Sequence, residues 1–282
     1  MSTLEMPEAR DFGWTLKQTS SSSFDIHQRS NGQFCVVLNH ALLRGVDSQM
    51  LFWWFLHFPR LRVQLIDIPK FKRTIVPSYL LWHPYDHYDA TLSGRVGPRG
   101  TSCRGAKLRI RESMQYDRYG WKYPVDTKVK IFYVGPDGWS MGKVLPGFGP
   151  VMMLRIHFKD VEETDGTQGL HYHYEVVIGT SKQGRFAKHV NNVISKRFGP
   201  DFFEAWHRHN VIEVGTFENF LPNIYAQRHQ KTPEFRLSMD SAANYAEQDH
   251  GFDRALFETR MDGYRSARNP SEYQAYDEQT FI

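Results

Sequence analysis

The chain has 282 residues, 40% of them hydrophobic and 15% aromatic, with a formal net charge of +4. That length accommodates one large domain, or a core domain with an accessory one, and the mild, well-mixed basicity gives little support for a nucleic-acid partner. The two cysteines, Cys35 and Cys103, form neither a CxxC metal motif nor a disulfide framework, so a reducing, cytoplasmic setting is expected.

The N-terminal MSTLEMPEARDFGW lacks a basic stretch followed by an apolar one, so no signal peptide is expected. Residues 1–32 are polar, with a serine run at 20–23, and read as a loosely packed leader. FCVVLNHALLRG (34–45) is apolar and suits a strand or a short helix. Asp47 and Ser48 are N-cap candidates for a helix through MLFWWFLHF (50–58), which is far short of the roughly 20 residues of a membrane helix. Aromatics cover most of that helix, so it should be buried between domains or against a second subunit. RLRVQLIDIPKFKRTIVPS (60–78) reads as a connector, with Pro69 and Pro77, and carries the domain boundary.

Four strands follow, at 105–113, 127–134, 150–160 and 169–179, each bounded by Gly, Pro or Asp, with DGTQG (165–169) as a hairpin loop. No helix intervenes, so the sheet should be antiparallel. The chain then turns helical, over 181–199 and again over 201–229, and ends in a polar, tyrosine-dotted tail. A curved antiparallel sheet around a long C-terminal helix makes an α+β fold with an internal cavity. The division expected is a mainly helical N-terminal region (1–70), a metal-binding domain (71–230) and a tail (231–282).

On strand 105–113, Leu108, Ile110 and Glu112 share one face and Lys107, Arg109 and Arg111 the other. Glu112 therefore continues the apolar face, where a carboxylate needs a cation, a proton or a metal, unless it turns to water at the strand end. On helix 201–229, Phe202, Trp206, His209, Glu213, Phe217 and Phe220 follow helical spacing. His209 and Glu213 are i, i+4 neighbours inside that aromatic stripe, a half-site for zinc or a similar cation, though also a common hydrogen-bonded pair. Upstream, WHPYDH (82–87) offers His83 and His87, either of which could complete a set with Glu112, His209 and Glu213. In HYHYE (171–175), Tyr172 and Tyr174 share a face with Leu170 and Val176; His157 shares one with Met153 and Arg155, opposite Met152, Leu154, Ile156 and Phe158, and periodicity leaves open which face is inside.

Taken together, YLLWHPYDH (79–87), an inward strand glutamate twenty-five residues after its last histidine, and HNVIE (209–213) on a long helix resemble the phloroglucinol hydrolase family over roughly residues 45–230. The resemblance implies a Bet v 1-like helix-grip fold, homodimerisation through the N-terminal part, and a zinc ion held by His87, Glu112, His209 and Glu213. It implies hydrolysis of a carbon–carbon bond between an acyl group and a phenolic ring. It also implies Tyr79 as a partner for substrate hydroxyls, and His157 and Tyr172 as the groups acting near the ring. Trp206, Phe217 and the tyrosines would form an aromatic wall for a phenolic or polyketide substrate, and Asp86 could support a metal ligand from behind. Ala90 departs from the pattern, since a polar amide is expected there to contact the phenol. Alternatives are a retro-aldol, isomerisation or cyclisation in the same cavity, or a binding protein for hydrophobic ligands.

Overall fold

The computed structural model describes residues 12–66, 74–164, 166–196 and 198–236. In chain order the elements are β1 (Ser22–Gln28), β2 (Phe34–His40), β3 (Leu43–Arg44), α1 (Ser48–His57), β4 (Arg62–Ile66), β5 (Thr74–Pro77), α2 (Tyr79–Trp82), β6 (His87–Ser93) and β7 (Lys107–Ser113). There follow α3 (Tyr116–Tyr119), β8 (Pro124–Gly135), β9 (Gly138–Leu145), β10 (Gly149–Glu162), β11 (Gln168–Ile178), α4 (Arg185–Ser195), α5 (Pro200–Gly215), α6 (Phe217–Ala226) and β12 (Glu234–Arg236).

Alternation of apolar and polar residues organises a nine-stranded sheet in the order β1-β2-β11-β10-β9-β8-β7-β6, with β3 also paired to β11. Every pairing in it is antiparallel. Its inner face carries Val36, Leu38, Ile110, Trp139, Leu154, Ile156, Phe158 and Tyr172, all buried. Helices α1, α5 and α6 pack on that face. Phe55 stacks on Trp139 at 4.8 Å, Phe34 meets Phe203 at 6.1 Å, and Phe217 meets Tyr172 at 6.4 Å. The fold is thus α+β, with a large antiparallel sheet and C-terminal helices.

The N-terminal part departs from expectation. Residues 22–28 and 34–40 are strands of the main sheet, and α1 is the one longer helix among the described residues 12–66. The β-branched and aromatic residues Phe34, Val36 and Val37 favour a strand over the helix, and the segment pairs on both sides with β1 and β11. Asp47 caps α1 by accepting from the Met50 N–H at 2.8 Å. Leu51, Trp54, Phe55 and Phe58 of this segment are 0–1% exposed, each worth about 1.5–3 kcal/mol of burial. They are buried against this chain's own sheet and α6, so the aromatic segment gives no support to a dimer.

The stretch read as a connector forms a second, three-stranded sheet, β12-β4-β5, in which β12 returns parallel to β4. The expected helix over 201–229 breaks at Thr216, whose hydroxyl donates to the Trp82 carbonyl at 2.7 Å. Most of the tail, from residue 237, lies outside the described residues.

Candidate metal centre

Two neighbouring strands and one helix build the centre. β6 and β7 pair with His87 directly opposite Glu112. The register slips between His87 and Asp89, so one extra residue is accommodated and His87 and Ala90, three apart, both end up buried. Outside, Arg111 grips Asp89 and Arg109 grips Asp126 through forked pairs, which pin the strands from the solvent side. From α5, His209 brings a ring nitrogen into a group in which the ligand atoms of His87, Glu112 and His209 all lie within 4.8 Å of one another, and Glu213 lies beside them. His87 Nε2 lies 3.5 Å from Glu112 Oε2 and 3.5 Å from Glu213 Oε1, and His209 Nε2 lies 3.9 Å from Glu213 Oε2.

Those separations bear on a metal. Zinc bonds to histidine nitrogen and carboxylate oxygen at about 2.0–2.2 Å, so tetrahedral ligand atoms sit roughly 3.3–3.6 Å apart. The donor set is chemically suitable, and the spacings are within a few tenths of an ångström of that edge. The two carboxylates keep 11% and 12% side-chain exposure while His87 and His209 keep 0% and 3%, so the centre opens on its carboxylate side. The residues present fit a divalent cation with an accessible side.

What holds the ligands is equally specific. His87 Nδ1 donates to the Tyr79 carbonyl at 2.9 Å, and His209 Nδ1 donates to Asp86 Oδ2 at 2.7 Å. Both histidines are therefore fixed with Nε2 toward the centre. The Tyr79 ring stacks on His87 at 3.8 Å and its hydroxyl donates to Glu112 at 2.6 Å. Asn210 donates to Glu213 at 3.3 Å.

Asp86 is the hub behind the ligands. It accepts from the Gln115 N–H at 2.7 Å and the Tyr116 N–H at 2.8 Å as well as from His209. Gln115 has φ 55°, a left-handed conformation unusual outside glycine, and its N–H bond to Asp86 helps to hold it. His83 belongs to this hub. Its Nδ1 accepts from the Asp86 N–H at 3.1 Å, which leaves its protonated Nε2 3.3 Å from Asp86 Oδ2, and its ring stacks on His209 at 4.6 Å. His83, Asp86 and His209 also offer three metal-ligating atoms within 4.8 Å of one another, but Asp86 already accepts from two backbone N–H groups and His209.

Charges follow from this arrangement. Burial alone would lower His209, but its bond to Asp86 and the fields of Glu112, Asp86 and Glu213 raise it to about 9. Burial pushes His87 down to about 3 against the pull of Glu112. Burial raises Glu213 to about 7 against His209 and Asn210. Asp86, which burial would raise, is held below the usual carboxylate range by His83, His209 and the N–H of Gln115.

The remaining residues singled out in the sequence divide. Tyr172 and Tyr174 lie on the inner face, and burial followed by the field of Glu213 raises both phenols well above 10, so both hydroxyls stay protonated donors. Trp206 is partly buried edge-on to Tyr174 at 6.4 Å. Phe217 is 0% exposed among Trp54, Phe55 and Trp82, so it packs the core and is no cavity wall. The Tyr79 hydroxyl is engaged by Glu112, so Tyr79 supports a ligand instead of standing open to substrate.

His157 is not brought to the site. Its register neighbours are Gly138 and His173, and the inner face at this point belongs to Ile156 and Phe158. The inward histidine is one that the strand pattern contained and the reading passed over: His40, which continues the alternation Val36, Leu38. Its Nε2 donates to Asn210 Oδ1 at 2.9 Å and its ring meets Tyr172 edge-on at 5.4 Å. Asn210 thereby links His40 to Glu213.

The chain is therefore an α+β protein with a buried histidine–carboxylate centre. No family model matches it, and no curated protein matches it. Solved structures similar to it include a protein of unknown function from Staphylococcus aureus, at 9% identity over 65% of this chain and 96% of that one, with TM-score 0.32. Ara h 8.0201 aligns at 12% identity over 69% and 100%, with TM-score 0.32. An uncharacterised protein from Rhizobium leguminosarum aligns at 10% identity over 68% and 98%, with TM-score 0.27. At such scores these likenesses carry no argument about function.

Proposed function

We propose that the chain is a zinc-dependent hydrolase that cleaves the carbon–carbon bond between an acyl group and a phenolic, phloroglucinol-like ring, releasing a carboxylic acid. The proposal takes the fold to be a Bet v 1-like helix grip, which the run of strands from β6 to β11 and the packing of α5 and α6 on one sheet face support. The observation that carries it is the grouping of His87, Glu112 and His209, whose ligand atoms all lie within 4.8 Å of one another, with Glu213 3.5 Å from His87 and 3.9 Å from His209 and an open carboxylate side. The choice of reaction rests on the likeness of YLLWHPYDH and HNVIE to the phloroglucinol hydrolases.

A bound zinc ion would polarise the acyl carbonyl and lower the pKa of water. The protein's own groups supply the rest. Tyr79 and Asn210 orient the two carboxylates. Asp86 and the Tyr79 carbonyl set the tautomers of the two histidines. The Tyr172 and Tyr174 hydroxyls present donors to a phenolic oxygen, and the Tyr174–Trp206 pair offers flat surface to a ring. His40, with its tautomer set by Asn210, takes the place beside Tyr172 that His157 does not occupy. In the balanced reaction the bond from acyl carbon to ring carbon breaks, the acyl carbon gains hydroxyl from water, and the ring carbon gains a proton.

The test is zinc-loaded protein incubated with an acylated phloroglucinol in oxygen-18 water. The expected product is a carboxylic acid carrying one solvent oxygen. Acid-free conversion to a rearranged phenol would replace hydrolysis with a lyase or isomerase reaction.

A further inference from the structure

Helix α4 keeps Ala187, Asn191 and Ile194 on its inner side yet also turns apolar residues outward. The buried side holds a polar residue: Asn191 is 1% exposed, its Oδ1 accepts from the Thr180 N–H at 2.7 Å, and its Nδ2 donates to the carbonyls of Asn31 at 2.9 Å and Thr180 at 3.0 Å. Gly179, at φ +111°, makes this approach possible, since a Cβ there would stand 2.7 Å from Asn191 Oδ1. The outward side is apolar. Phe186 is 69% and Val193 48% exposed, with Val190 half-buried between them, so positions i, i+4 and i+7 form one stripe.

The turn between β9 and β10 meets the stripe through Phe148, beside two exposed apolar residues at the end of β9. Val144 is 45% and Leu145 37% exposed, the Phe148 ring lies 5.7 Å from Phe186, and Lys182 donates to the Gly147 carbonyl. Around this patch Lys143, Lys182, Arg185, Lys188 and Lys196 are exposed. Between Glu175 and Asp201 the chain has Lys182, Arg185, Lys188, Lys196 and Arg197 and no acidic residue. The nearest downstream acid, Asp201, faces Lys122 at 3.7 Å. The exposed acids Glu162 and Glu163 lie at the opposite end of the β10–β11 hairpin, so charge is polarised along it.

Water does not favour a surface helix that turns phenylalanine and valine outward. We propose that α4 and the 144–148 turn form a docking surface for an anionic lipid bilayer, the apolar stripe entering the headgroup boundary while the basic rim meets lipid phosphates. Charge selects this occupant. A second copy of the chain would bring a like-charged rim, whereas an anionic bilayer complements it. No described helix is long and apolar enough to cross a membrane, so the contact is with the surface. The inference goes beyond the sequence reading, which expected no membrane helix and no membrane partner, and it is independent of the metal centre.

The test is sedimentation of the full chain with phosphatidylcholine vesicles, with and without roughly 30 mol% phosphatidylserine, at low salt and at about 0.5 M salt. The expected result is partitioning that is at least about tenfold stronger on the anionic vesicles and lost at high salt. The double variant Phe186→Ser/Val193→Ser and the triple variant Lys182→Glu/Lys188→Glu/Lys196→Glu should each reduce it about tenfold, with melting temperature and zinc content unchanged. Absence of partitioning by the wild type at low salt overturns the proposal, as does partitioning that survives both variants. A wild-type dimer that the serine variant turns into a monomer, without vesicle binding, would make the patch an interface between copies. Binding to polyglutamate but not to anionic vesicles would make the partner an acidic protein.

Discussion

Substituting Asp86 by Asn tests the logic of the metal centre more finely than removing a ligand does. Asp86 is fully buried and accepts from the Gln115 and Tyr116 N–H groups and from His209, with His83 Nε2 3.3 Å away. Asparagine keeps one acceptor oxygen and replaces the other with a donor. The new amide must face at least one group that now donates to Asp86, which leaves a buried donor unmatched at roughly 1–3 kcal/mol. Loss of the negative charge also strands a His209 that burial otherwise drives to neutrality. Together these predict that metal-free Asp86→Asn is less stable than wild type by about 2–4 kcal/mol. Because the Asp86–His209 bond aims Nε2 at the centre, zinc affinity should fall about 10- to 100-fold. Stoichiometry should stay near one, since Asp86 is not a ligand in this account. Urea unfolding in chelator and zinc titration against a competing dye measure the two quantities. A variant with wild-type stability and affinity would refute the hub role. A variant that binds no zinc at any concentration would make Asp86 itself a ligand.

Other outcomes follow from the same geometry. Tyr79→Phe removes the hydroxyl bound to Glu112 and should weaken zinc about tenfold while leaving the ligands in place, readable in the same titration. His157→Ala should leave zinc content and turnover unchanged, whereas Tyr172→Phe and His40→Leu should each lower turnover of an acylated phloroglucinol at least about tenfold with zinc retained. Metal-free protein should lose stability as pH rises from 6.5 to about 9, because His209 has its folded pKa raised above 6.5 and its contribution is fully present only below that value. Glu213, raised from 4.5 to about 7, acts in the same sense at lower pH, and His87, lowered from 6.5 to about 3, costs stability as pH falls through that range. Melting temperature in chelator across pH 6.5–9 measures this, and Asp86→Asn should flatten it.

Much of the centre was legible because three of the four candidate ligands obey simple periods. Glu112 continues the alternation Leu108, Ile110, and His209 with Glu213 follows the helical i, i+4 rule. His87 could not be separated from His83 this way, because the irregularity before Asp89 breaks the two-residue period on β6. The sequence offers Asp86 as a support behind a metal ligand but not its further bonds to Gln115 and Tyr116, which are about thirty residues away. His157 rests on the resemblance alone, because both faces of β10 carry large side chains and only pairing across the sheet tells inside from outside. His40 was readable from Phe34, Val36 and Leu38, but the segment suited strand or helix until the β1 and β11 pairings settled it. The small sheet of β4, β5 and β12 was hidden by Pro69 and Pro77 and by a partner strand from the far end of the described chain.

The account turns on whether these four side chains hold a metal ion. Elemental analysis of the purified wild type beside Glu112→Ala and His209→Ala measures this directly. The prediction is about one zinc per chain in the wild type and near-complete loss in both variants, each still folded by circular dichroism. A wild type that carries no metal and takes up none from added zinc would contradict it.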